Sequence, residues 1–258
     1  MKSIIVIPAR FGSSRLPGKP LKVIAGISLV ERVYRVASSV KVDRVVVATD
    51  SQEIKQHAEG FGAEVVMTPE TCRNGSERSY AALQSLRIKP DIIVNLQGDA
   101  PLSPPWFIQA VIDVLEKNPK LQIATPAVRL DASGMKKLIE AKKVQPSAGT
   151  LVTFDSAYDA LYFSKNIIPF SKDYGSGTPV YKHIGIYAYR FSALEQYVNL
   201  PESTLEKAES LEQLRAIENG IKIRVIPVET KGRTLWSIDT PEDLKIAEEI
   251  IAREGELV

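Results

Sequence analysis

Apolar and polar positions follow two rhythms along the first half of the chain. Short β-branched runs at 4–7, 44–48, 64–67, 91–96 and 123–128 read as strands, and those at 4–7, 44–48 and 91–96 are apolar enough to be buried on both faces. Between them apolar residues recur at helical spacing. Leu29, Val33, Val36 and Ala37 follow an S-x-x-E capping signal of Ser28 and Glu31, and Ile54, Ala58 and Phe61 follow a similar pairing of Asp50 with Glu53. Tyr80, Leu83 and Leu86 share one side of 76–86, and Phe107, Ile108, Val111 and Leu115 follow the helix-opening Pro104 and Pro105. Strand and helix in alternation predict an α/β fold with a doubly wound, mostly parallel sheet.

The rhythm changes from about residue 131. Segments 151–154, 160–164 and 183–189 read as strands with no long helix between them, and the polar, glycine-containing 171–179 reads as a flexible loop. We expect 131–190 to be an antiparallel excursion sharing the core of one domain spanning 1–258. A helix at 205–219 ended by Gly220, strands at 221–228 and 235–238, and a final helix capped by Thr240 complete the pattern.

The first strand empties into a loop of unusual chemistry. Pro8 to Pro20 carries Arg10, Arg15 and Lys19, glycines 12 and 18, and no acid. Loops at the carboxyl ends of parallel strands are where open α/β sheets bind ligands. Glycines admit close backbone approach to an anion and the cations suit phosphate oxygens, so the loop predicts a nucleoside triphosphate site. It is not a P-loop, because five residues separate Gly12 from Gly18 and Pro20 stands where a hydroxyl is required. No G-x-G-x-x-G fingerprint occurs. The competing reading is a solvated basic turn.

Composition narrows the class without adding chemistry. With 258 residues, a net charge of +2 and one cysteine, Cys72, the chain fits a globular protein without internal disulfides. The near-balanced charge gives no reason to expect nucleic acid or an anionic membrane as partner. The N-terminal apolar run is too short for a signal peptide and no stretch has membrane-spanning length, so a cytoplasmic location is expected.

Two acids stand out by position. Asp99 follows a buried strand in Gln97-Gly98-Asp99, and Asp239 follows the 235–238 run, so both are placed at the sheet edge that holds the basic loop. One or two carboxylates are what a magnesium–triphosphate complex usually takes from protein. Taken alone, Asp239 reads better as a helix cap; paired with Asp99 before a phosphate loop, it reads as a metal ligand.

These motifs, with others, resemble one family. IPARFGSSRLPGKPL at 7–21, VATD at 47–50, NGSER at 74–78, NLQGDAP at 95–101 and ALYFS at 160–164 match the 3-deoxy-manno-octulosonate cytidylyltransferases, in family order. HIGIYAY at 183–189, LEQLR at 211–215 and DTPEDL at 239–244 extend the match over nearly the whole chain. The resemblance implies a Rossmann-like nucleotidyltransferase fold that transfers CMP from CTP to the anomeric hydroxyl of a 3-deoxy sugar acid, releasing pyrophosphate.

Carried over by motif, Arg10, Lys19 and Asp99 are the expected catalytic residues, and Asp99 and Asp239 hold Mg²⁺. Pro8, Ala9, Arg10, Gly12, Lys19, Gly75, Ser76 and Arg78 bind the nucleotide. Arg15, Gln97, His183, Tyr187, Glu212 and Gln213 take the sugar, while Tyr189 is assigned to strand packing. Ala100, Lys165, the 146–149 segment and Trp236 depart from the family pattern, mostly on the sugar side, and leave open whether the sugar is the octulosonate or an 8-amino analogue. A homodimer joined through 131–190 is also implied. The rival readings are a cytidylyltransferase for a sialic-type acid and a non-catalytic nucleotide-sugar-binding protein.

Overall fold

The computed structural model describes residues 1–12, 15–174 and 177–258, so Ser13 and Ser14 of the basic loop, and residues 175–176 of the predicted flexible loop, lie outside the described residues. The first half alternates as expected: β1 (Ser3–Ala9), the short β2 (Val23–Ile24) and β3 (Ile27–Ser28), α1 (Leu29–Ser38), β4 (Arg44–Thr49), α2 (Gln52–Gly60), β5 (Glu64–Met67), α3 (Gly75–Leu86), β6 (Ile92–Leu96), α4 (Pro105–Lys117) and β7 (Ile123–Arg129). The second half comprises α5 (Ala132–Val144), β8 (Leu151–Phe154), β9 (Ala160–Ser164), β10 (Tyr181–His183), β11 (Ile186–Arg190), α6 (Phe191–Val198), α7 (Thr204–Glu209), α8 (Leu214–Glu218), β12 (Ile223–Pro227) and α9 (Pro241–Glu254).

Strands β5, β4, β1 and β6 are parallel neighbours, with Val6 opposite Val46 on one side and Asn95 on the other. β11 then pairs antiparallel with β6, and β7 with β11, while β12 runs parallel to β7. Alternation along β1 sends Ile5 and Ile7 into one core with α1, α2, α4 and α9, and Ile4 and Val6 into the opposite core with α3, α6 and α8. Burial on both faces is why these strands read as continuous apolar runs.

The excursion is present, with differences. The β8–β9 hairpin pairs through β10, and an antiparallel bridge from Asp159 to Arg224 links its turn back to β12. Helix α5, which the chain pattern did not predict, covers this region with a small core of Met135, Leu138, Leu151 and Val180. Of its own side chains only Met135 and Leu138 are buried, so its amphipathic signal is thin. Helix α6 also went unpredicted.

Three expected elements are revised. The run 183–189 divides into β10 and β11 opposite Pro126, which has no N–H for the ladder. Residues 235–238 form no strand, and the Ile238 N–H donates to Asp99 O at 2.8 Å without any ladder pairing among the described residues. The helix at 205–219 breaks at Ser210, whose φ of +50° ends α7 before α8 begins. Two capping assignments also move. Ser51, not Asp50, caps α2, and the Glu31 carboxylate pairs with Arg35 instead of closing a box on Ser28.

Candidate active site

A cleft of about 380 Å³ opens at the carboxyl ends of β1 and β6. Its base is tightly packed around two glycines. A methyl group on Gly98 would sit 2.7 Å from Pro8 O, and one on Gly75 would sit 2.9 Å from Gln97 Nε2. Crowding therefore demands glycine at 98, where the obstacle is backbone, while at 75 the obstacles are the side-chain amides of Gln97 and Asn95.

The basic loop turns at Gly18, with φ of +62°, into a 3₁₀ turn at Lys19–Leu21 that aims Lys19 inward. Lys19 Nζ donates to Asp99 Oδ2 at 3.0 Å, to Asp239 Oδ1 at 3.3 Å and to Ile238 O at 2.8 Å. Two aspartates far apart in sequence thus converge on one ammonium. The Ile238–Asp99 backbone bond clamps their segments together. Asp239 is not the cap of α9. Thr240 performs that task in a reciprocal box with Asp243, which also accepts from Asp239 N at 2.9 Å and from Trp236 Nε1 at 3.0 Å. The Asp239 side chain is left to face the cleft, where Arg15 Nη2 donates to it at 3.0 Å. Arg15 therefore stands beside the carboxylate pair in the same cleft.

Pro8, Ala9 and the exposed Arg10 form the near wall. The far wall is the start of α3, where Asn74 accepts from Glu77 N at 2.9 Å and the helix presents its positive end. Arg78 also lines the cleft from this wall, though almost fully buried: it bonds Asp50 and Thr68, each at 2.7 Å. Asp50 also accepts from Phe11 N at 3.2 Å, so Arg78 braces the basic loop through Asp50. Arg73, which sequence reasoning did not single out, lines the cleft and bonds Glu77. Burial opposes ionisation of Glu77, yet the bonds from Arg73 hold its carboxyl below the ordinary value. Cys72 lines the same wall, and burial pushes its thiol up.

The residues expected on the sugar side divide. Gln97 and Glu212 line the cleft, with Ser210. The break between α7 and α8 puts Glu212 in a turn, not inside the continuous helix expected at 205–219. His183, Tyr187 and Gln213 do not line the cleft and are buried in its wall. His183 Nε2 lies 2.9 Å from Thr125 Oγ1, and that hydroxyl donates its one proton to Ile186 O at 2.8 Å. Nε2 therefore carries the imidazole proton, and burial pushes the ring down to about 3, so it is neutral. Gly12 lies outside the lining on the exposed loop, and Ser76 lies below the floor with its hydroxyl 3.0 Å from that of Tyr189. Tyr189 was assigned to packing alone; its hydroxyl is part of a polar layer.

Comparison with known proteins settles the family. The cytidylyltransferase model matches residues 4–223. The chain belongs to the cytidylyltransferase family. It is a nucleotidyltransferase. It is 51% identical over the full length of both chains to a 3-deoxy-manno-octulosonate cytidylyltransferase of Maricaulis maris. It is 42% identical to an 8-amino-3,8-dideoxy-manno-octulosonate cytidylyltransferase of Shewanella woodyi, over 98% of this chain and 99% of that one. The solved CMP:2-keto-3-deoxy-manno-octonic acid synthetase complexed with CTP superposes with a TM-score of 0.87 at 38% identity, covering 98% of this chain and all of the other.

Among the described residues no group of three His, Cys, Asp or Glu side chains could hold a metal unaided. The donor set fits magnesium all the same. Two carboxylates converge where a cation already sits, and a triphosphate supplies the remaining hard oxygens.

Proposed function

We propose that this cytidylyltransferase transfers CMP from CTP to the anomeric hydroxyl of a 3-deoxy-octulosonic acid, either the octulosonate or its 8-amino analogue, with release of pyrophosphate. The observation that carries the reading is the convergence of Asp99 and Asp239 on Lys19 beneath the basic loop. The names of the relatives support the sugar, and the CTP in the structural neighbour supports the nucleotide.

The chemistry follows from charge and position. Arg10 and Lys19 take the triphosphate, the α3 N-terminus adds backbone donors, and Arg78 keeps the loop in place through Asp50. Asp99 and Asp239 would hold magnesium, which when bound neutralises phosphate charge and polarises the α-phosphorus. In-line attack by the sugar hydroxyl needs no covalent enzyme intermediate, so orientation and charge neutralisation supply most of the acceleration. Gln97 and Glu212 face the same space and offer a mixed donor and acceptor set to a polyhydroxylated acid.

We further propose a homodimer built through 131–190 and a cytoplasmic enzyme. Tyr158, Leu161 and Phe170 form exposed apolar surface on the excursion, which supports the first. Among the described residues no helix is long and apolar enough to cross a membrane.

The test is pyrophosphate release across CTP, ATP, GTP and UTP, crossed with octulosonate, its 8-amino analogue and a sialic-type acid, with and without magnesium. Release confined to CTP, an octulosonic acid and magnesium is expected. Preference for the nine-carbon acid would replace the sugar assignment. Binding of CTP and sugar without release would leave only a nucleotide-sugar-binding protein.

A further inference from the structure

The contacts of Lys19 are incompatible with the tasks proposed for the residues that make them. Its Nζ donates to Asp99 Oδ2 at 3.0 Å, to Asp239 Oδ1 at 3.3 Å and to Ile238 O at 2.8 Å. An ammonium has three protons and accepts nothing, so each of its donors has a protein oxygen and none is left for a phosphate. Lys19 cannot grip a triphosphate, nor Asp99 and Asp239 share a metal, until these contacts are exchanged.

Two features make Lys19 the cation to be exchanged. Its side chain is 17% exposed against 59% for Arg15, and it touches both aspartates where Arg15 reaches only Asp239. The pair also survives without it, because the Ile238 N–H donates to Asp99 O at 2.8 Å and joins the two segments through backbone. Among the described residues no third His, Cys, Asp or Glu completes a metal site with the pair, so a free metal ion meets two carboxylates and a competing ammonium. Two uncompensated carboxylates would repel an incoming polyanion, whereas phosphate oxygens offer the ammonium strong charge-assisted bonds.

We propose that Lys19 is a positioning residue that closes the Asp99–Asp239 pair to free metal ions and opens it when a triphosphate draws its ammonium away. The metal then enters with the nucleotide and not ahead of it. The proposal rests on the reading that this cleft binds a metal-chelated triphosphate.

Electron paramagnetic resonance of Mn²⁺ titrated into the protein, without and with saturating CTP, tests it. Were Lys19 only a brace, Lys19→Met would bind free Mn²⁺ no better than the wild type. Exchange predicts the opposite: without CTP, Lys19→Met should bind Mn²⁺ about tenfold more tightly, and Lys19→Met combined with Asp99→Asn should lose that gain. The enhancement of Mn²⁺ binding by CTP should shrink by the same factor in Lys19→Met. No gain without CTP, or a gain that survives Asp99→Asn, would overturn the proposal. So would a CTP enhancement as large in Lys19→Met as in the wild type, since the ammonium would then never leave the aspartates. Should Lys19→Met fail to fold, Lys19→Gln, whose amide still donates two hydrogen bonds, carries the same readouts. If the wild type releases pyrophosphate from CTP but the variant gains no Mn²⁺ affinity, the parent reading stands and this proposal falls. If the gain appears through Asp99 but CTP leaves Mn²⁺ binding by the wild type unchanged, opening by CTP falls with the parent reading while closure to free metal stands.

Discussion

The cleft places carboxylates in two settings a short distance apart. Asp99 and Asp239, with side chains 36% and 37% exposed, share solvent and the Lys19 ammonium. Glu212 Oε2 is cut off from solvent and has no hydrogen-bond partner among the described residues, and burial pushes its carboxyl up to about 7. The same functional group is thereby prepared for two tasks. The first setting suits exchange of one cation for another; the second favours a protonated, neutral carboxyl.

Breaking the first setting has the largest expected effect. Asp99→Asn or Asp239→Asn should lower kcat on the order of 10³-fold in a pyrophosphate-release assay. Stability should move by less than about 1 kcal/mol in a urea melt, because the ion pairs lost are partly exposed. Turnover near the wild-type rate in either variant would contradict the metal assignment. Lys19→Met removes the cation that the two aspartates share and a donor to the triphosphate. It should lower kcat/KM for CTP about 10²-fold. A change confined to the sugar's KM would move Lys19 out of the nucleotide site.

The second setting is sharpened by pH. Glu212 has a folded value of about 7 against 4.5 unfolded, so the folded state binds the extra proton and stability falls as pH rises from 4.5 through 7. His183 has a folded value of about 3 against 6.5, so stability falls as pH drops from 6.5 through 3. Between 4.5 and 6.5 the two slopes oppose each other. Glu212→Gln leaves the His183 slope alone and should make stability fall by about 2 kcal/mol more than in the wild type as pH drops from 6.5 to 4.5. Urea melts at the two pH values check this, and identical changes in both proteins would place the Glu212 carboxyl in water.

Much of this was legible before any coordinates. The parallel half declared itself because strands buried on both faces read as unbroken apolar runs and because Ser28 and the Pro104-Pro105 pair mark helix starts. The convergence of Lys19, Asp99 and Asp239 was also accessible, since each lies at a strand end or sheet edge in a recognisable motif. What stayed hidden depended on long-range geometry. Asp50 looked like a cap until Ser51 took that place and freed it for Arg78. The break at Ser210 that turns Glu212 into the cleft gives no local signal beyond a residue tolerated at positive φ. Arg73 is an unremarkable cation until α3 sets it on the far wall. Period-two spacing identified the strand of Tyr187 and Tyr189 and their shared face, but not that the Tyr189 hydroxyl would find Ser76.

The central claim is that the basic loop and both aspartates act on one metal-chelated CTP. Electron paramagnetic resonance of Mn²⁺ titrated into the protein with saturating CTP tests it most directly. The account predicts that the wild type binds Mn²⁺ far more tightly with CTP than without it, and that Asp99→Asn and Asp239→Asn each weaken the ternary complex about tenfold or more. Equal Mn²⁺ affinity in the wild type and both variants would contradict it.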